Sequence, residues 1–320
     1  MSVRLGFIGT GGIANHHMRT LIQIETAKMV AFCDVDAEKA KATAASYGGT
    51  AYTSYVEMFD QEKLDAVYLC VPPFAHGAPE AEAIRRGLPL FIEKPVATNL
   101  FQAETTLAAI QAAGLISAVG YHWRYMDTTA RAKACIGTQP VGFALGSWTG
   151  GMPTVSWWRV MAESGGQIVE QTTHIFDLAR YLLGEVKQVQ AIGRTGLMED
   201  VDNYDIHDAT VTNLEFTNGA IASITTACML NTGGEVGLDL YLKDQVLRMT
   251  HGTLTVEKTT GKEIINLGNN PTLAEDRAFI DAVQSQDPGA IRCTYADAMQ
   301  TLKLTLAATQ SAVENRPIEL

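Results

Sequence analysis

The sequence predicts an α/β domain built on a doubly wound parallel sheet, followed by an α+β domain with a large, mostly antiparallel open sheet. Three observations carry this. Over the first 122 residues, apolar strand-like runs alternate with helical patterns and short turns, as in parallel strands covered on both faces. After about residue 123 the pattern changes to alternating runs separated by turn signals, with Asn218-Gly219 the strongest, as in antiparallel hairpins. At 320 residues the chain is long enough for two domains with real cores. The expected domains are 1–122 and 123–320.

Taken in order, strands are expected at 3–8, 29–34, 50–52, 66–71, 90–93 and 116–121. The helices between them fall at 13–24, 37–47, 55–59, 79–86 and 99–113. Asp36 suits the N-cap of the second helix. Asn99 with Gln102 three residues on has the spacing of a capping box. In the second half one helix reads at 128–135. Strands follow at 141–148, 186–195, 209–216, 220–227, 237–241 and 246–250. Residues 165–185 read as helix, and the apolar stripe over Leu302, Leu304, Leu306 and Val313 predicts a final helix at 297–314.

Net charge is −11, from 35 acids against 24 bases. An acidic chain without a basic stripe argues against nucleic acid or an anionic membrane as main partner. The five cysteines are scattered with no C-x-x-C pair, so no disulfide framework is expected and the compartment reads as reducing. Neither a signal peptide nor a membrane span is recognisable. The expected location is the cytoplasm.

The first strand runs into the glycine turn Gly9-Thr10-Gly11-Gly12-Ile13-Ala14, which opens a helix. Strand, turn and helix in that order form the cradle a dinucleotide pyrophosphate requires. Gly9 allows the tight turn and Gly11 lets backbone approach phosphate. Ala14 is the small third position. The helix N-terminus offers free N–H groups and partial positive charge. The second strand ends in Asp34, 25 residues after Gly9, where a carboxylate accepts both ribose hydroxyls and repels a 2′-phosphate. Together these predict a Rossmann domain holding NAD in preference to NADP.

The strand at 90–93 ends in Glu93-Lys94-Pro95. Ligands of open α/β sheets bind at the carboxyl ends of strands, so Lys94 stands where a proton shuttle for alcohol–ketone interconversion is needed. A surface lysine, or an ion pair with Glu93, is the alternative. On a helix over 165–185, Glu170, His174, Asp177 and Tyr181 would share one face. His174 suits acid–base work, with Glu170 one turn before to orient its ring. It also suits a hydrogen-bonded structural histidine. Glu170 and His174 offer two metal ligands without a third of suitable spacing, and no metal is predicted. Trp157, Trp158 and Arg159 suit either a sugar face or packing.

Four motifs together resemble the glucose–fructose oxidoreductase / inositol dehydrogenase / rhizopine-catabolism (Gfo/Idh/MocA) family over essentially the whole chain. They are GFIGTGGIA, VPPFAH at 71–76, EKPVATN at 93–99 and GGQIVEQTTHIFDLARYLLGE at 165–185. The resemblance implies that Lys94 is the catalytic lysine and that His174 shares the proton work at the substrate hydroxyl. It implies that Pro72, Glu93 and Lys94 lie along the nicotinamide and its ribose, that His76 stands near the adjacent cofactor loop, and that Val71 and Arg159 join the cofactor site. It places Tyr121, Trp158, Glu170 and His174 on the substrate side, and Arg124 matches the family's arginine. Many members carry Asp where this chain has Glu170, which keeps the charge and adds one methylene. The implied activity is NAD(P)-dependent hydride transfer at a secondary hydroxyl of a sugar, inositol or related polyol. A homodimer or homotetramer through the C-terminal sheet is implied as well. The alternatives are a non-catalytic NAD-sensing regulator on the same fold and an NAD-assisted glycosidase.

Overall fold

The computed structural model describes residues 2–320. Contacts divide the chain into two units: 1–122 with 270–299, and 123–269 with 300–320. In the first unit, β1 (Val3–Ile8), β2 (Ala27–Cys33), β3 (Thr50–Tyr52), β4 (Ala66–Leu69), β5 (Leu90–Ile92) and β6 (Ser117–Val119) form one six-stranded sheet in the order β3-β2-β1-β4-β5-β6. All of its pairings are parallel. Four successive residues of β4 are buried, as expected for a central strand covered on both faces. The intervening helices are α1 (Gly12–Leu21), α2 (Ala37–Tyr47), α3 (Tyr55–Gln61), α4 (Ala78–Arg85) and α5 (Leu100–Ala113). Strand order reverses between β1 and β4, which creates the crevice where α/β sheets take ligands.

Local chemistry sets the helix starts. The Asp36 side chain caps α2 by accepting from the Glu38 and Lys39 amides. Asn99 caps α5 by accepting from Gln102 N at 2.9 Å. The Asn99 side-chain amide, rather than its backbone N–H, meets Gln102 Oε1 at 3.5 Å, so the motif is a cap rather than a full box.

The second unit opens with α6 (Asp127–Ile136), β7 (Val141–Thr149), α7 (Met161–Ser164), α8 (Gly166–Glu170) and α9 (Thr173–Leu183). Strands β8 (Val186–Arg194), β9 (Ala209–Phe216), β10 (Ile221–Ala227), β11 (Val236–Leu242), β12 (Gln245–Thr250), β13 (Thr253–Lys258) and β14 (Gly261–Asn266) follow. With β7 and the C-terminal β15 (Ile318–Glu319) they make a nine-stranded sheet, order β14-β13-β12-β11-β7-β10-β9-β8-β15. Pairings are antiparallel except β10 with β7. The Asn218-Gly219 turn joins β9 to β10 with Gly219 at φ 87°, as the hairpin signal requires. Helix α9 packs on the sheet over Gly146, where a Cβ would meet Ile175 Cγ2 at 2.7 Å. That close approach buries α9 nearly all round.

Two helices complete the chain: α10 (Pro271–Ser285) and α11 (Tyr295–Glu314). The expected final helix lies within α11. Sequence reading did not single out α10, although Asn270 caps it and Pro271 sits at its first turn, both standard start signals. It belongs to the first unit, where Phe279, Ile280 and Val283 join the core of β1, β4 and α1. All five cysteines are free. Among the described residues, no helix is long and apolar enough to cross a membrane.

Candidate active site

In the first unit the candidate residues gather along the carboxyl edge of the parallel sheet. Asp34 follows β2, the glycine turn follows β1, Val71 and Pro72 follow β4, Lys94 follows β5 and Tyr121 follows β6. Gly9 is required by the fold itself. Its φ is +85°, and an added Cβ would lie 2.3 Å from the Cys70 carbonyl oxygen. Gly11 and Gly12 are different: at either one a Cβ would meet no described atom within 4 Å. The protein leaves room over this turn that side chains would fill, which suits an incoming pyrophosphate. Gly11 is the N-cap of α1 and offers no side chain to the helix's first N–H groups, which leaves them for an anion.

Asp34 ties the turn to β2. Its Oδ2 accepts from Thr10 N and Thr10 Oγ1, both at 2.9 Å. Its Oδ1 accepts from Asp36 N at 3.0 Å. A carboxylate has about four acceptor positions, so room for a ribose hydroxyl remains. His76 is buried, with Nδ1 2.5 Å from Glu80 Oε1, and its Nε2 has no partner among the described residues. The glycine cradle and this orphaned ring nitrogen fit a bound dinucleotide.

Lys94 is half-buried at the end of β5 and joins Pro95 through a cis peptide bond. The Glu93 carboxylate turns inward: Oε2 accepts Lys94 N at 3.2 Å and Oε1 lies 2.8 Å from His17 Nε2. Tyr121 is fully buried, and its amide donates to the Val119 carbonyl at 2.7 Å.

In the second unit, the expected single helix over 165–185 is two. Helix α8 ends at Glu170, and α9 begins at Thr173. The Thr172 amide bonds back five residues to the Gln167 carbonyl at 2.9 Å, and the Gln167 side chain is drawn to the Trp148 and Ala227 carbonyls. Glu170 and His174 therefore do not share one continuous helical face. Glu170 Oε2 accepts the Trp158 indole N–H at 2.5 Å, with Trp158 fully buried. His174, in the first turn of α9, stacks on Trp148 at 5.8 Å between centroids and 21° between planes. Arg159 closes the turn Ser156–Arg159, and its buried Nε lacks a partner among the described residues. Arg124 is buried and meets Asp177 through Nε at 2.8 Å and Nη2 at 2.7 Å.

Sequence reasoning missed one group here. His17, in the middle of α1, lies between Glu93 and Asp276 of α10. A histidine on a face otherwise buried with Ala14, Met18 and Leu21 was the available signal.

Comparison with known proteins gives a concordant result. Residues 3–121 match the family model described as oxidoreductase family, NAD-binding Rossmann fold. Residues 142–248 match the GFO/IDH/MocA C-terminal domain. The chain is 26% identical to a myo-inositol 2-dehydrogenase of Thermotoga maritima, over 99% of this chain and 98% of that one. It is 25% identical to a scyllo-inositol 2-dehydrogenase (NAD(+)) of Bacillus subtilis, over 99% and 96%. A crystal structure of an oxidoreductase from Agrobacterium radiobacter with NAD+, L-tartaric acid and magnesium shares the fold. Its TM-score is 0.87 at 21% identity, over 100% of this chain and 98% of that one.

Proposed function

The chain belongs to the GFO/IDH/MocA oxidoreductase family, and on that premise we propose that it is an NAD-dependent dehydrogenase of a secondary hydroxyl on a sugar, inositol or related polyol. The observation that carries the reading is Lys94 at the carboxyl end of β5, on the sheet edge that also bears the glycine turn. Full-length likeness to two inositol dehydrogenases supports the substrate class.

When bound, NAD accepts the hydride. The residues do the rest. Gly9, Thr10, Gly11, Gly12 and Ile13 with the start of α1 hold the pyrophosphate. Asp34 accepts from one hydroxyl of the ribose diol at its remaining acceptor position and disfavours a 2′-phosphate. Val71, Pro72 and His76 complete the cofactor site in the first unit, and Glu93, whose carboxylate turns inward onto His17 and the Lys94 amide, backs it from behind. Lys94 Nζ takes the hydroxyl proton as hydride leaves the carbinol carbon. The family resemblance gives His174 a supporting part in the proton work. Tyr121, Trp158 and Glu170 orient the polyol, the indole–carboxylate bond fixing the direction of Glu170.

In the second unit, Phe143, Leu145, Ile192, Val211 and Ile221 are exposed on β7 to β10. This supports self-association through the sheet.

Lys94→Ala is expected to lower kcat on the true polyol by roughly 10²–10⁴-fold. Fluorescence titration should show NADH binding as in the parent and tighter than NADPH. Full turnover in the variant overturns the assignment of Lys94, and preference for NADPH overturns that of Asp34.

A further inference from the structure

We propose that His17 is a positioning residue for Lys94, acting through Glu93 to hold the exit of β5 in register with the cofactor-binding helix α1. The proposal rests on the reading of Lys94 as proton acceptor. Its evidence is a chain of buried contacts within the first unit. His17 is fully buried, with Nε2 2.8 Å from Glu93 Oε1 and Nδ1 2.7 Å from Asp276 Oδ1. The other oxygen of Glu93 accepts the Lys94 amide. Gly120 walls the carboxylate in, since a Cβ there would lie 2.3 Å from Glu93 Oε1. Asp276 is held in turn by the Tyr68 hydroxyl at 3.1 Å and by the Thr20 hydroxyl.

Counting donors favours the charged form of the ring. A neutral imidazole donates from one nitrogen only, while ionised carboxylates only accept. With one carboxylate on each nitrogen, His17 serves both as the imidazolium. Burial opposes that cation, but Asp276 and Glu93 outweigh it and push the His17 pKa well up. The groups facing this cluster are His16, Arg19 and Thr20 on α1, Tyr68 on β4 with Cys70 just beyond it, Lys94 after β5, and Glu275 on α10. Glu275 is also within ligand reach of His17 and Glu93. Burial first, then Glu93 and Asp276, push its carboxyl up, and its Oε2 has no partner among the described residues, as suits a protonated acid. Both His17 nitrogens already donate to carboxylates, so the cluster reads as a proton-sharing clamp rather than a cation site.

The geometry assigns a division of labour. Helix α1 presents its N-terminus to the cofactor, and its middle grips the residue before Lys94. A fixed imidazolium keeps the Glu93 carboxylate pointed at the Lys94 amide, so the chain leaves β5 in one direction.

His17→Gln can serve one carboxylate as donor but not both. Its kcat is expected to fall about tenfold or more, while NADH affinity and the polyol KM stay within about twofold. Unchanged kcat, or parallel loss of kcat and NADH affinity, overturns the proposal. A measurement on the unmutated protein covers a variant that fails to fold. In ¹⁵N-histidine spectra, one of the seven histidines should remain doubly protonated above about pH 8 and change in Glu93→Gln. Absence of that signal also overturns the proposal. Lys94→Ala separates the two readings: an active variant removes the proton-acceptor role and leaves the histidine spectrum unchanged.

Discussion

Each unit buries a charged cluster beside a candidate catalytic side chain, and the two clusters are built differently. In the first, His17 stands between Glu93 and Asp276, one residue from Lys94. In the second, Arg124 forks onto Asp177, three residues after His174 on α9, and Thr301 donates to the same carboxylate at 2.8 Å. A guanidinium does not titrate in the working range, whereas an imidazole does. The second unit therefore holds its helix with a cation that does not titrate, and the first holds its strand exit with a group whose charge depends on protons.

The largest effect tests the fork. Arg124→Met leaves the Asp177 carboxylate buried without its guanidinium and should cost about 3–5 kcal/mol, read by urea denaturation. Replacing Asp177 by Leu in the same chain should recover most of it, because the cost lies in the stranded charge. A loss under about 1 kcal/mol would make the fork equivalent to a surface pair.

The pH dependence of stability separates the clusters. His17 has a raised folded pKa, so its contribution is complete below its ordinary value of 6.5 and is lost as pH climbs through the raised value. Glu275, raised chiefly by burial, acts in the same direction from its ordinary 4.5 upward. Each such proton changes stability by up to about 1.4 kcal/mol per pH unit within its window. Urea midpoints should fall as pH rises above 6.5. His17→Gln should remove the His17 part of that slope, and the Arg124→Met, Asp177→Leu double variant, which strands no charge, should leave the slope intact.

The smallest effect is Tyr68→Phe, which deletes one of the donors to Asp276 and should cost about 0.5–1.5 kcal/mol. A much larger loss, measured by the same denaturation, would mean that the acidic cluster lacks the redundancy its several donors provide.

Much of the fold was legible because it is written locally. The Gly9 turn, the Asp36 and Asn99 caps and the Asn218-Gly219 hairpin each depend on residues within a few positions of one another. Asp34 was legible for the same reason: its distance from Gly9 follows from one β-α-β passage. The break between α8 and α9 was not, because it depends on Gln167 bonding to carbonyls of β7 and β10. That removes the simple face on which Glu170 and His174 were expected to meet.

Periodicity and turn chemistry by themselves determined the two-part architecture, the nucleotide turn and the position of Lys94 at a strand's carboxyl end, since each is a property of neighbouring residues. Only the tertiary structure decided what lies behind Lys94. His17 and Asp276 are 259 positions apart, and His17 and Glu93 are 76 apart. No local pattern encodes such a meeting. It forms because α10 returns to the core of the first unit, and in that dry interior a charged imidazole is held only by carboxylates beside it.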